Sequence, residues 1–358
     1  MGFPFSFSRQ KDIVGLDIGS GAIKLVQLKR SPQGYQLQKF GVKALDSELI
    51  VDGTVMDSGQ VVSAIRELLQ EQSVQVKDVA LSVSGHSVIV KKINVPMMTE
   101  EELEESIKWE AEQYIPFDIN DVNIDFHILG SSEPGDMKDQ MSVLLVAVKK
   151  DRLTEYATLV TETGLNPVIV DVDAFTLENM FGVNYDVGDE EVVALVNIGA
   201  NVMNIIVLKG GAFAFTRDIS IGGNRYSETI QREFNVSYEQ AEKAKRTEPV
   251  EGIDPEALLN IINGLNEKIS TEVTRSFDYF KSTSTSENID RILISGGTAK
   301  VPNLLAQLGE RTGVPVEMAD PFRKIDIPEK LFDLDFVRGM APMLAVGVGL
   351  ALRRKGGD

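Results

Sequence analysis

The sequence predicts an α/β protein made of two duplicated halves that close on a phosphate-binding cleft. The first observation is the stretch 13–28, where an apolar run meets Asp17, then Gly19-Ser20-Gly21, then a second apolar run. Ile23, Leu25, Val26 and Leu28 keep β character straight after the glycines, so the stretch reads as a tight hairpin rather than strand–turn–helix. The second observation is an internal repeat. Pairing Asp17 with Asn197 lays Leu16-Asp17-Ile18-Gly19 on Val196-Asn197-Ile198-Gly199, and Leu25-Val26-Gln27-Leu28 on Ile205-Ile206-Val207-Leu208. The third is another glycine-punctuated strand, Ile292-Leu293-Ile294-Ser295 followed by Gly296-Gly297-Thr298-Ala299, which leads into a helical stretch with Pro302 near its start.

Two familiar phosphate motifs are excluded. No Gly-x-x-x-x-Gly-Lys-Ser/Thr spacing occurs anywhere, and a dinucleotide fingerprint would need glycine where Lys24 stands, with a helix after it. What remains is a glycine hairpin whose bare amides can approach a phosphate, with Asp17 entering the turn and Lys24 leaving it.

The other elements follow in order. A third strand lies near 37–45, and Val61, Ala64, Ile65, Leu68 and Leu69 mark a helix by their three-to-four spacing. Val79 to Val83 is a core strand. From His86 to Ala147 the pattern changes to short strands around a helix capped by Thr99, with Glu102 at capping-box spacing and Leu103, Ile107, Ala111 and Tyr114 on its apolar face. The acidic run over 100–105 is a solvated face favoured by the helix dipole. Residues 152–163 form an amphipathic helix. Asp173 opens the next one, where aspartate suits an N-cap. In the second half, Arg217 to Ile221 is a strand ending in Gly222-Gly223, and 258–280 is a long helix with Ile261, Leu265, Ile269, Val273 and Phe277 inward. Ala341, Ala345 and Gly349 recur every four residues, a stripe of small side chains that permits close crossing of helices.

Composition narrows the function. With 358 residues the chain is long enough for two domains. Net charge is −18, from 36 basic and 54 acidic residues, which argues against a phosphate-backbone binder; nucleic acid is not an expected partner. There are no cysteines, hence no disulfides or thiolate sites, and His86 and His127 stand alone without metal-ligand spacing. The longest apolar run, Met340 to Leu352, is short of the roughly 20 residues a membrane span needs. The amino terminus lacks a signal-peptide core. It fits Met-Gly-x-x-x-Ser on paper, and Phe3, Phe5 and Phe7 offer a partner or membrane contact.

The three glycine loops, in this order, are similar to those of the superfamily of actin, sugar kinases and heat-shock chaperones. The whole run from the first hairpin to Gly347-Val348-Gly349-Leu350-Ala351-Leu352, including Lys108-Trp109-Glu110-Ala111-Glu112-Gln113-Tyr114-Ile115-Pro116-Phe117, resembles the PilM family of type IV pilus assembly proteins, itself related to the division protein FtsA. The resemblance implies an actin-like ATPase fold in four parts. A first subdomain (1A) takes residues 1–85, 148–190 and 341–358, and an FtsA-like inserted subdomain (1C) takes 86–147. A second core (2A) takes 191–238 and 290–340, and a small helical subdomain (2B) takes 239–289.

It also implies ATP or ADP with Mg²⁺. Gly19, Ser20, Gly21 and Lys24 would take phosphates at the first hairpin, with Asp17 on a magnesium-bound water. Gly199 and Ala200 would serve at the second, and Gly222 and Gly223 would shape the cleft. Glu242 would lie near the ribose, Lys245 along the base, and Gly296, Gly297 and Thr298 beside the adenosine; a charged helix face is the plainer account of the Glu242–Lys245 segment. Asp173 matches the carboxylate that orients the attacking water in the chaperones. The departure is Asn197, where the superfamily has Asp: an amide can meet Mg²⁺ only weakly, through water, and serves no base role. The expectation is a nucleotide-dependent scaffold with slow or absent hydrolysis.

The implied partners are the cytoplasmic N-terminal peptide of PilN, held in a groove between 1A and 1C, and other inner-membrane proteins of the pilus machinery behind twitching motility. The implied place is cytoplasmic, peripheral to the inner membrane. Two alternatives stand beside this: a small-molecule kinase or phosphatase, which needs a substrate-facing base, and an FtsA-like filament scaffold, which needs a terminal amphipathic helix longer than 353–358 provides.

Overall fold

The repeat seen in sequence becomes two sheets built to one plan. The structure, a computed structural model, describes residues 12–131, 140–283 and 288–354. The acylation-like start with its phenylalanines, most of the polar loop 131–140, part of the serine-rich loop after 282 and the last four residues lie outside the described residues.

In the first half, β1 (Val14–Ile18), β2 (Ala22–Ser31) and β3 (Gly34–Ala44) form an antiparallel meander. A short ribbon, β4 (Ile50–Val51) and β5 (Thr54–Val55), leads to α1 (Ser58–Glu71), capped by the Asp57 side chain, and to β6 (Asp78–Val83), parallel to β1. A small unit follows: β7 (Val88–Pro96), α2 (Glu100–Glu112), β8 (Val122–Ser131) and β9 (Gln140–Lys149), a three-stranded sheet with its own core around Leu103, Ile107, Val143 and Leu145. Thr99 and Glu102 make both bonds of the capping box. The chain returns through α3 (Lys150–Glu162) to β10 (Asn166–Val172), parallel to β6, and then to α4 (Asp173–Asn184).

The second half repeats the order. Strands β11 (Val192–Ile198), β12 (Met203–Lys209) and β13 (Ala212–Ile219) make the meander. Helices α5 (Asn224–Phe234), α6 (Tyr238–Lys245) and α7 (Pro255–Thr283) follow, and β14 (Arg291–Ser295) lies parallel to β11. Then come α8 (Leu304–Thr312), β15 (Val316–Met318), β16 (Ile325–Asp326), α9 (Leu334–Met340) and α10 (Ala345–Ala351). The sheets run β10-β6-β1-β2-β3-β16 and β13-β12-β11-β14-β15. Even the β-bulge is duplicated. It falls between Gln27 and Leu28 in one half and Val207 and Leu208 in the other, the same offset that aligns Asp17 with Asn197.

Side-chain alternation divides the second sheet. Ala194, Val196, Ile205, Val207, Ile292 and Ile294 pack beneath α5, α6 and α7, whereas Val193, Leu195, Ile206, Leu208 and Leu293 join the core of the first half. The second of these faces carries Asn197. The α7 stripe is Leu258, Ile262, Leu265, Ile269, Val273 and Phe277, with Ile261 half-buried at its margin.

The small-residue stripe does permit close crossing, within the first half: α10 packs on α4 and β1, and a β-carbon on Gly349 would stand 1.8 Å from the Thr176 carbonyl oxygen. Ala341 lies before α10 in a 3-10 turn, where Pro342 O accepts the Gly296 amide at 2.8 Å. By length and composition alone the 18 residues Leu334–Ala351 could cross a membrane, but 61% of the run is buried inside the protein.

Candidate functional site

Directly opposite each other across the β1–β2 hairpin, Asp17 and Lys24 form an ion pair with the ammonium 3.1 Å from the carboxylate. Glycine at 19 makes room for it, since a β-carbon there would stand 2.8 Å from Lys24 Nζ. The Gly19 amide donates to Ala22 O at 3.1 Å and closes the turn, with Ser20 at the tip. A β-carbon on Gly21 would stand 2.9 Å from the Ala200 Cβ, so the two hairpins meet tip to tip.

The second hairpin is gripped from behind. Gly223 N–H donates to Gly199 O (2.9 Å), Asn224 N–H to Ala200 O (2.8 Å), and the Thr298 hydroxyl also to Gly199 O (2.9 Å). Gly222 must be glycine, because its β-carbon would fall 2.5 Å from Ala200 O. Gly296 adopts φ +91°, and its β-carbon would press on Ile198 O. Lys245 pairs with Glu242 at 2.5 Å and reaches Ser227 Oγ and Gly223 O at 3.1 and 3.4 Å, and Glu242 also accepts from the Ser227 hydroxyl. Burial pulls the Lys245 pKa down against the opposing pull of Glu242. Gly199, Ala200, Gly222, Gly223, Glu242, Lys245 and Thr298 are therefore one constellation, joined to Gly21 by the hairpin contact. Gly297 sits beside it, facing Met343 in the 3-10 turn before α10.

Asp173 departs from the N-cap expectation. The cap of α4 is Val172, and Asp173, the first helical residue, instead accepts from the Ser82 hydroxyl at 2.6 Å. Burial and then the nearby Asp17 push its pKa up to about 6, with Ser82 and Ser84 opposing, and Asp218 adds a smaller push. Asp17 of the first half and Asp218 of the second thus both act electrostatically on Asp173. Asn197, 9% exposed, has both ends of its amide engaged: Nδ2 donates to Asn204 Oδ1 at 3.0 Å, and Oδ1 accepts from the Ser295 hydroxyl at 3.1 Å. It is a structural amide within a chain of them. Among the described residues no three His, Cys, Asp or Glu side chains converge on a common point.

Four participants escaped the sequence reading: Asn204, Asp218, His86 and Tyr238. The period-two alternation shared with Asn197 was the signal for the first two. His86 Nε2 lies 2.6 Å from Ser220 Oγ, across the halves. The Tyr238 hydroxyl donates to Asn224 Oδ1 at 3.1 Å and also bonds Ser47 of the first half; burial and Glu242 push it up to about 12. Beside the second hairpin a cleft of about 530 Å³ opens between Ser47 and Asp52 on one side and Ala200, Gly222, Asn224 and Tyr238 on the other; Asp17, Lys24, Asp173, Lys245 and Thr298 do not line it.

The family model described as type IV pilus assembly protein PilM matches residues 15–355. The chain belongs to the PilM family. A solved structure described as the PilM–PilN type IV pilus biogenesis complex superposes with a TM-score of 0.86 at 27% identity, covering 96% of this chain and 98% of that one. The ethanolamine utilization protein EutJ from Carboxydothermus hydrogenoformans gives 0.56 at 16% identity, covering 95% and 89%. MreB5 of Spiroplasma citri bound to ADP gives 0.50 at 14%, covering 95% and 94%. The fold is that of the actin-like ATPases, and within it this PilM-family chain keeps the paired hairpins but carries Asn197 where Asp was expected.

Proposed function

We propose that this PilM-family protein is a nucleotide-responsive scaffold of type IV pilus assembly that binds ATP or ADP with Mg²⁺ in the cleft between its halves. The observation that carries the reading is the tip-to-tip meeting of two glycine hairpins, with the Asp17–Lys24 pair on one and the Gly223, Lys245 and Thr298 cluster behind the other. These residues fit such a ligand: small side chains expose backbone at the tips, and Lys24 supplies the cation for phosphates. Asp17 and Asp173 supply negative charge for a hydrated metal. Ser20 and Gly21 would hold phosphate beside Ala200, while Glu242, Lys245, Gly296, Gly297 and Thr298 would border the adenosine. Bound Mg²⁺ would neutralise phosphate charge. Asp173, whose raised pKa suits proton traffic with water, would orient the attacking water, and an amide-locked Asn197 keeps turnover slow.

On this reading the four subdomains keep the boundaries given above, and the cytoplasmic N-terminal tail of PilN docks between 1A and 1C. Exposed apolar groups support that docking: Val170 on the edge strand β10, and Met97 and Trp109 on the small unit. The protein would then sit at the cytoplasmic face of the inner membrane through its partners. Titration of labelled ATP with Mg²⁺ against wild type and Lys24→Ala tests the cleft, since losing a charged contact is worth ~1.5–3 kcal/mol, roughly ten- to hundredfold in Kd. Equal affinities would remove the phosphate assignment. A pull-down with a PilN-type N-terminal peptide tests the partner.

A further inference from the structure

Four polar side chains cross the second sheet in a single row. Ser295 stands opposite Asn197, Asn197 opposite Asn204, and Asn204 opposite Asp218. Ser295, Asn197 and Asn204 are buried among apolar neighbours, and the row lies on the face turned to the first half. The bonds run one way. The Ser295 hydroxyl donates to Asn197, the Asn197 amide to Asn204 at 3.0 Å, and the Asn204 amide to Asp218 Oδ1 at 2.9 Å. The far oxygen of Asp218 accepts from the backbone N–H of Gly85 at 2.6 Å. Because Asp218 accepts at both oxygens, the orientation of each amide in the row is fixed from its end.

The endpoints of the row give it a role. Ser295 precedes Gly296-Gly297, and Asn197 precedes the Gly199 hairpin, so one end lies under two glycine loops of the cleft. The other end is Gly85, at φ +78°, where the chain leaves β6 for β7 and the three-stranded unit. The Ser220–His86 contact lies beside it, and β13 packs along β7. The second half thus grips the root of the small unit at the level of its own glycine loops.

We propose that Asp218 is a positioning residue that couples the glycine loops of the second half to the root of the three-stranded unit, so that closure of the cleft sets how that unit is held. This rests on the nucleotide reading above. Opening the halves separates Asp218 from Gly85 and frees the root; closing them restores the bond. The row predicts its own control: in Asp218→Asn every amide can reverse, the new amide donating to Asn204 while its oxygen still accepts from Gly85, so this variant folds and keeps the bond that Asp218→Ala loses.

The test is hydrogen exchange over residues 82–90 with and without ATP and Mg²⁺, in wild type, Asp218→Asn and Asp218→Ala, alongside nucleotide titration of each. In wild type nucleotide is expected to slow exchange at the root. In both variants nucleotide binds within about threefold of wild type; in Asp218→Asn the root still responds to nucleotide, while in Asp218→Ala the unliganded root exchanges at least roughly tenfold faster and no longer responds. Equal nucleotide-dependent protection in wild type and Asp218→Ala overturns the coupling while leaving the cleft assignment intact. Loss of nucleotide binding in Asp218→Asn also overturns it, giving the row to building the site. Absence of binding in wild type instead sinks the nucleotide reading itself.

Discussion

Gly21 and Ala200, one at each hairpin tip, approach so closely that a β-carbon on the glycine would stand 2.9 Å from the alanine's own. The two halves therefore touch at the points where the duplicated turns present bare backbone. The Gly21 backbone is not in the left-handed region, so a side chain there is limited by the neighbour alone. Gly21→Ala already forces one tip to move, since two β-carbons do not come within 3.0 Å of each other. Gly21→Val is expected to wedge the tips apart, costing about 1–3 kcal/mol as overpacking does, and to weaken nucleotide binding by more than it lowers Tm. Thermal melts with paired titrations check this; a valine variant binding like wild type would show that the tips do not face a shared ligand.

Asp173 makes a pH prediction with a definite sign. Its folded pKa is pushed up to about 6 from an ordinary 3.8, by burial first and Asp17 second. Below about pH 4 both folded and unfolded states hold the proton and nothing is lost. Between about 4 and 6 the unfolded chain ionises first, so stability falls as pH rises, and above 6 the penalty levels off at ~3 kcal/mol. Asp173→Asn carries no such penalty. Its Tm, relative to wild type, is expected to climb from pH 4 to pH 6 and then stay flat. A difference independent of pH would mean Asp173 is as free to ionise in the fold as out of it.

Both hairpins, their pairing by duplication and the third glycine loop were readable in the sequence because each rests on local chemistry: alternation fixes strands, and glycine marks where backbone must come close. Thr99 and Glu102 were readable for the same reason. Asp173 as an N-cap failed because a short-range rule competes with a longer one, the Ser82 hydroxyl across the parallel β6–β10 pair offering the carboxylate a better partner. Alternation could place Asp218 on the face of Asn197, but its contact with Gly85, like that of His86 with Ser220, stayed hidden because the partners lie more than a hundred positions apart and no spacing within either segment reports it. Asn197 read as a missing carboxylate; only the sheet register shows it as one rung among four.

Gly349 tests the packing of α10. A β-carbon there would overlap the Thr176 carbonyl oxygen of α4, a backbone atom that cannot swing aside as a side chain can. Gly349→Ala is expected to cost about 3 kcal/mol or more, the upper end of overpacking, despite alanine's better helix propensity. Gly339→Ala, whose β-carbon would meet nothing within 4 Å, serves as the matched control and should leave Tm unchanged or slightly raised. Similar melts for both variants would refute the close crossing.

Restoring the expected carboxylate is a sharper experiment than it first looks. With Asn197→Asp alone, the new carboxylate faces Asn204 Oδ1, acceptor against acceptor; turning Asn204 around relieves that contact only by presenting its oxygen to Asp218. One buried polar contact is left unmade either way, at about 1–3 kcal/mol. The single variant is therefore expected to melt lower than wild type, with little gain in ATP hydrolysis. In Asn197→Asp combined with Asp218→Asn the row can run in reverse. The introduced amide at position 218 then donates to Asn204, and Asn204 donates to the introduced carboxylate at position 197, which still accepts from Ser295. That double variant should recover most of the lost stability and show the larger rise in turnover. Additive effects of the two changes on Tm would break the row into independent residues.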